Sequence, residues 1–316
     1  MLGVTSNILM GGNVGLSCGG IVEIGGGYLA AGGLDLLGVI CGSEGQLGVV
    51  TEATLRILHK PEGARPVLMG FDDNEVAGAC VSDIIKAGVL PVAIEFMDRP
   101  CIEVTEAFAN AGYPMCEALL IVEVEGAEAE IDHQLELIME IAQRHNPVEL
   151  RESSSAEESA AIWLGRKSAF GAMGQISDYM CLDGTIPVSG LPYVLRRIGE
   201  LSNEYGLKVG NVFHAGDGNI HPLILFDANK VGDLKLCEAL GAEILKLCVE
   251  VGGCLTGEHG VGIEKRDLMH VQYDPADLEA QMEVKDVFDP QWLLNPAKVF
   301  PLDASETRRE LAVAAE

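Results

Sequence analysis

Residues 66–145 constrain the fold most, because short apolar runs alternate there with longer segments of helical period. Residues 66–71, 92–97 and 118–125 are brief and rich in apolar or β-branched side chains, which predicts strands. Residues 75–86 and 128–145 are long enough for helices. In the second of these, Ile131, Leu135, Ile138 and Ala142 recur on one face. A shorter helix is expected over 102–110. Alternation of this kind predicts an α+β fold, with helices layered on one face of a sheet.

The flanking segments follow the same local rules. Residues 39–41 and 47–51 read as two strands around the turn Gly42-Ser43-Glu44-Gly45, where glycine permits backbone that a Cβ would forbid. Residues 146–159 are polar and acidic and read as a loop. Leu191, Val194, Leu195, Ile198 and Leu201 form a helical stripe that Gly206 can end. Residues 208–213 and 220–226 read as strands and 238–251 as a helix. Another helix is expected over 275–287, with Asp274 as its N-cap and Pro275 in the first turn. Residues 305–316 are charged and read as a disordered tail.

Composition removes several classes of function. Forty-eight acidic residues against 21 basic ones leave a formal charge of −27. Such a surface repels nucleic acid phosphates and anionic lipid. No apolar stretch is long enough to span a bilayer, and the N-terminus lacks the pattern of a signal peptide. The nine cysteines include no C-x-x-C pair, so zinc-ribbon, thioredoxin-type and iron–sulfur roles are unsupported. Most read as small buried side chains in a reducing cytoplasm.

The chemistry concentrates in Val212-Phe213-His214-Ala215-Gly216-Asp217-Gly218-Asn219-Ile220-His221. Gly-Asp-Gly-Asn is a strong turn signal between two β runs, so His214 ends one strand and His221 starts the next. Their imidazoles can then face one pocket. Two neutral imidazoles suit zinc, manganese or iron, and a third ligand is needed for tight binding. Glu258 in Gly257-Glu258-His259-Gly260-Val261-Gly262 is a candidate, and His259 is of the residue type that serves in proton transfer. A helix is expected to open there, over 261–269. Glu258 also suits a helix-start acid, and Asp217 and Asn219 suit turn formers. Taken alone, this set would serve a metal hydrolase equally well.

An ordered series of phrases narrows the choice. It comprises Gly42-Ser43-Glu44-Gly45-Gln46-Leu47-Gly48-Val49-Val50-Thr51-Glu52, Gly165-Arg166-Lys167-Ser168-Ala169-Phe170 and Asp183-Gly184-Thr185-Ile186-Pro187. It continues through the His214 and His221 phrase, Cys248-Val249-Glu250-Val251-Gly252-Gly253, the Glu258 phrase and Leu294-Asn295-Pro296-Ala297-Lys298. From about Leu2 to Pro301 the chain resembles the FAD-linked oxidases, a family that includes glycolate oxidase and the D-lactate and D-2-hydroxyglutarate dehydrogenases.

The resemblance implies three parts. Residues 1–60 would be the C-terminal remnant of an FAD-binding domain of the PCMH type, the chain being truncated at its N-terminus. Residues 61–301 would be the C-terminal substrate and cap domain, ferredoxin-like with an antiparallel sheet, and 302–316 a tail. It implies FAD as cofactor, with contacts at Gly42, Ser43, Glu44, Gly45, Gly48, Val50, Asn295 and Lys298. It implies a divalent metal, zinc or manganese, on His214, His221 and Glu258. His259 would be the catalytic base, and Arg166 would hold the substrate carboxylate, a bidentate match.

The implied reaction is oxidation of a small 2-hydroxy acid, with glycolate to glyoxylate foremost. D-lactate or another D-2-hydroxy acid is the alternative substrate. A metal-binding fragment without flavin activity is the alternative from a different class. Implied partners are other glycolate oxidase subunits, including an iron–sulfur subunit, which would bring a cytoplasmic chain to the inner membrane surface.

Overall fold

The structure is a computed structural model that describes residues 5–26 and 33–314. Leu2, where the resemblance begins, lies outside them. The chain divides into two compact units. One spans Lys60–Gly257, and the other joins the residues before Lys60 to those from Glu258 onward.

The second unit begins with β1 (Leu9–Gly15), β2 (Ile21–Gly25), α1 (Leu36–Ile40) and β3 (Val49–Leu55). The strands form an antiparallel sheet with β1 in the centre. Residues 39–41, expected as strand, belong instead to α1 and its cap. The Asp35 carboxylate accepts the Gly38 N–H at 3.0 Å, and this local cap outweighs the apolar pattern. Val14, Ile24, Ile40 and Leu47 form the small core.

The first unit opens with β4 (Gly63–Phe71), α2 (Asn74–Lys86), β5 (Ala93–Asp98), α3 (Arg99–Ala109), β6 (Ala118–Gly126), α4 (Glu128–Arg144) and β7 (Glu149–Glu152). The sheet order β7-β4-β6-β5, antiparallel throughout, is the ferredoxin-like arrangement, with α3 inserted between β5 and β6. The chain continues through α5 (Ala156–Met173), β8 (Asp178–Cys181), β9 (Gly184–Thr185) and α6 (Leu191–Tyr205). It then forms β10 (Val209–His214), β11 (Asn219–Ile220), β12 (Pro222–Phe226) and α7 (Asp233–Glu250). Strand β10 pairs with the outer edge of β5, and β11 and β9 carry the sheet to nine strands, with β12 and β8 branching from β10.

Helices cover both faces of this sheet rather than one. Alternate residues of a strand point to opposite faces. Ile94, Phe96, Leu120, Val122 and Phe213 pack with α2, α4, α6 and α7, whereas Met97, Leu119, Ile121 and Val212 pack with α3 and α5. The expected stripe of α4 is buried, and Gly206 ends α6 in the left-handed region at φ 67°. Residues 146–159 are not a loop. They form β7 and the first turn of α5, capped by Ser155. Their polarity has a local cause: β7 is an edge strand, and acids at a helix N-terminus are favoured.

Asp98 fixes β10 against β5. Its Oδ2 accepts from Asn211 N and Nδ2 at 2.8 and 2.7 Å, and its side chain also caps α3. Burial pushes this carboxyl up to about 6, against the pull of those hydrogen bonds.

The chain re-enters the second unit with α8 (Met269–Gln272), α9 (Pro275–Phe288) and α10 (Leu302–Ala314). Asp274 caps α9 as expected. No helix opens at Val261, because Gly260 and Gly262 have φ of 81° and 54° and the segment turns. As far as residue 314, the stretch expected as a disordered tail belongs to α10, whose Arg308 bonds Asp286 and Glu279 of α9.

Candidate functional site

In the first unit, one row of side chains crosses the sheet on the α5 face. Residue alternation in β5 turns Glu95 to that face while Ile94 and Phe96 enter the opposite core. His214, at the end of β10, is the direct cross-strand partner of Glu95. Residues Ala215–Asp217 then make one 3-10 turn, Gly218 reverses the chain at φ 70°, and His221 follows β11. The His214 and His221 ring centroids are 5.4 Å apart, with planes at 85°. Arg166 and Phe170 of α5 complete the cluster. The guanidinium lies 5.8 Å from the Phe170 ring, which meets His221 edge-on at 6.4 Å.

The turn leaves no space at Gly218. A Cβ there would collide with the Ile186 carbonyl, and the φ already favours glycine. Gly218→Ala is therefore expected to cost about 2–3 kcal/mol in urea denaturation, from strain and overpacking together. A loss below about 0.5 kcal/mol, the size of a surface substitution, would mean that the turn adapts.

Glu95 connects the cluster, and the sequence reading did not single it out. Its Oε1 lies 2.9 Å from His214 Nδ1, while its Oε2 lies 2.9 and 2.7 Å from Nε and Nη2 of Arg166. Both Glu95 and Arg166 side chains are only 8% exposed. Burial pushes the Glu95 carboxyl up, but the His214 hydrogen bond and the Arg166 charge outweigh it and hold the group below its ordinary value. A carboxylate only accepts hydrogen bonds, so Nδ1 of His214 is the donor in this contact. Nδ1 of His221 likewise donates, to the Leu182 carbonyl at 3.0 Å, and Asn219 Nδ2 lies 3.4 Å from its Nε2. Asn219 Oδ1 is buried with no partner among the described residues. Imidazoles tied at Nδ1 by an acceptor are the form that ligates divalent cations through Nε2.

The cluster's far border is also built tightly. Buried Asp183 accepts from Thr256 Oγ1 at 2.7 Å and Gly257 N at 3.1 Å. A Cβ on Gly257 would run into the Asn219 amide. Gly257 is the last residue of this unit, and Glu258 follows it in the chain.

In the second unit, Glu258 and His259 side chains are about half exposed, with Glu258 Oε1 and His259 Nε2 3.8 Å apart. The segment they open is held by Glu44, whose carboxylate accepts the N–H groups of Val261 and Gly262 at 2.7 and 3.0 Å. The Glu44 carbonyl in turn accepts from Asn295 Nδ2. Gly42, Ser43, Glu44, Gly45, Gly48, Val50 and Asn295 line one cavity of about 430 Å³. Gly42, at φ 83°, would have open space around a Cβ, so the turn leaves room for a ligand.

Lys298 is not among the residues lining that cavity. Its carbonyl, with that of Asn295, accepts from Gln46 Nε2 at 3.2 and 3.1 Å. Beneath them is a residue that the sequence reading also missed. The wholly buried Lys285 ammonium donates to the Gln46 and Leu294 carbonyls and to Asp289, at 2.9–3.0 Å. Its only sequence signal is an i,i+4 Lys–Asp pair, which surface helices also carry.

The family model described as FAD linked oxidases, C-terminal domain, matches residues 60–299. Glycolate oxidase subunit GlcD of Escherichia coli (strain K12) is 47% identical over 285 residues, 90% of this chain and 57% of that protein. The protein of the same description from Bacillus subtilis (strain 168) is 33% identical over 96% of this chain and 65% of its own length. A probable mitochondrial D-lactate dehydrogenase of Danio rerio is 28% identical over 88% of this chain and 56% of its own length. The chain thus spans less than two thirds of these relatives. Among solved structures, 4-ethylphenol oxidase from Gulosibacter chungangensis superposes with a TM-score of 0.75 at 14% identity, over 96% of this chain and 68% of its own. At that identity the likeness concerns the fold.

Proposed function

This chain belongs to the FAD-linked oxidases, and from that premise we propose that it oxidises a small 2-hydroxy acid, glycolate to glyoxylate, as part of a flavin enzyme. The observation that carries this reading is the cluster of buried Arg166, Glu95 and His221 with partly exposed His214. It gathers a guanidinium suited to a carboxylate and two imidazoles suited to a cation on one sheet face.

In this reading His214, His221 and Glu258 hold a divalent cation, zinc or manganese, with the Nδ1 hydrogen bonds of both imidazoles favouring Nε2 as donor atom. Arg166 binds the substrate carboxylate, and His259 takes the hydroxyl proton. The turn from Gly42 to Val50, with Asn295 and Lys298, holds FAD, and residues 61–301 serve as the substrate and cap domain. When bound, the cation would acidify the substrate hydroxyl and the flavin would accept the hydride from C2. Electrons then pass to other glycolate oxidase subunits, an iron–sulfur subunit among them. The chain would meet these partners at the inner membrane surface; no helix among the described residues is long and apolar enough to cross a membrane.

The test is optical. After incubation with FAD, the purified chain is expected to retain a flavin absorbance spectrum that glycolate bleaches faster than D-lactate does. A colourless protein would favour a metal-binding fragment without flavin activity. Faster bleaching by D-lactate would replace glycolate with the substrate of the other relatives.

A further inference from the structure

We propose that Glu95 is a positioning residue whose single carboxylate sets both halves of the substrate grip: the tautomer of His214 and the orientation of Arg166. The inference rests on the reading of His214 as a cation ligand.

Three observations carry it. Glu95 is 6% exposed and sits in the middle of an apolar strand, where an acid persists only with partners. Its two oxygens are divided, Oε1 to His214 and Oε2 to Arg166, so neither partner can turn without breaking a charge-assisted hydrogen bond. The Arg166 edge used is Nε with Nη2, so the Nη1 donors are not spent on Glu95 and can meet a second carboxylate.

The chemistry is specific to a carboxylate. Because it cannot donate, it keeps the His214 proton on Nδ1 and the lone pair on Nε2, and it strengthens that imidazole as a ligand. A glutamine of the same shape can donate its amide N–H to Nδ1, which moves the proton to Nε2 and removes the ligand atom. The same substitution takes away the charge that aligns Arg166.

The experiment uses the full 316-residue chain, stripped of metal. Zn(II) is titrated calorimetrically into the wild type, Glu95→Gln and His214→Ala, and histidine ring ¹⁵N shifts are recorded without metal. Circular dichroism checks the fold of each variant. Glu95→Gln is expected to weaken Zn(II) binding about 10–100-fold, the usual effect of losing a ligand's hydrogen-bond partner. The wild-type His214 shifts should report Nδ1–H, and the variant should lose that signature.

Zn(II) affinity of Glu95→Gln within about twofold of wild type, while His214→Ala loses binding, overturns the role of Glu95 and leaves His214 as ligand. Undiminished binding in His214→Ala overturns the ligand assignment, and this inference with it. Should Glu95→Gln not fold, the wild-type shifts decide alone, because an Nε2–H signal for His214 contradicts the proposal.

Discussion

Arg166→Met is expected to lower unfolding stability by about 3–5 kcal/mol, because it removes the counter-charge of a buried carboxylate that then keeps only its His214 hydrogen bond. Arg166 and Glu95 are each 8% exposed in their side chains, so water cannot replace the lost guanidinium. Arg99, bridged to Glu103 and Glu117, is 43% exposed and carries a similar number of contacts, yet pairs of that kind are worth under about 1 kcal/mol. The contrast is between breaking a desolvated pair and breaking a hydrated one.

Two further measurements make the prediction specific. The double variant Glu95→Gln with Arg166→Met buries no charge and should recover most of the loss, a strong departure from additivity. The pH dependence should also change. Glu95 is held below its ordinary value, so its contribution is fully present above the unfolded carboxylate range near pH ~4.3 and is lost as pH falls through the folded value. Without Arg166 that acid-side loss should shrink. Urea denaturation across pH measures both. A single-variant loss under about 1 kcal/mol would show that the Arg166–Glu95 pair is not desolvated as described.

In flavin-loaded protein, His259→Ala is expected to slow 2-hydroxy-acid oxidation by about 10²–10⁴-fold, the usual share of a general base. Metal content should stay at the wild-type value if the proposed ligands, His214, His221 and Glu258, are the ones that hold it. The side chain is about half exposed, so stability should change little. Steady-state turnover with parallel metal analysis separates the roles. Turnover within a few-fold of wild type, or loss of the metal, would remove His259 from the base's position.

Much of this molecule is written in local signals. The α4 stripe from Ile131 to Ala142, the glycine ending α6 and the Asp274-Pro275 start of α9 depend on neighbours a few residues away, and each was legible. The reversal between His214 and His221 was legible because Gly218 and its polar neighbours specify a turn by themselves. Helix α5 was not legible. It buries Arg166 beside Ile162 and Ala169 while leaving Leu164 exposed, so its apolar residues mark no clean face. Strand β7 hid for the complementary reason, being a polar edge.

The site divides along the same line. The motif residues were visible one by one, whereas Glu95 acquires meaning only through Arg166, 71 positions away, and His214, 119 positions away. An acid between Ile94 and Phe96 was the one hint, since a carboxylate in an apolar strand requires a cation or donors nearby. Lys285 is the equivalent case in the second unit, where its ammonium joins residues distant in sequence.

The clasp between Glu44 and the backbone of Val261 and Gly262 limits how such proteins can be recombined. Gly260 has a φ of 81° that favours glycine, and a Cβ there would push the Glu44 carboxyl out of this clasp. The two segments therefore behave as a lock and its key, cut as a matched set. Anyone transplanting the Gly257–262 loop from a cousin with another substrate preference would have to bring that cousin's 42–48 turn along with it.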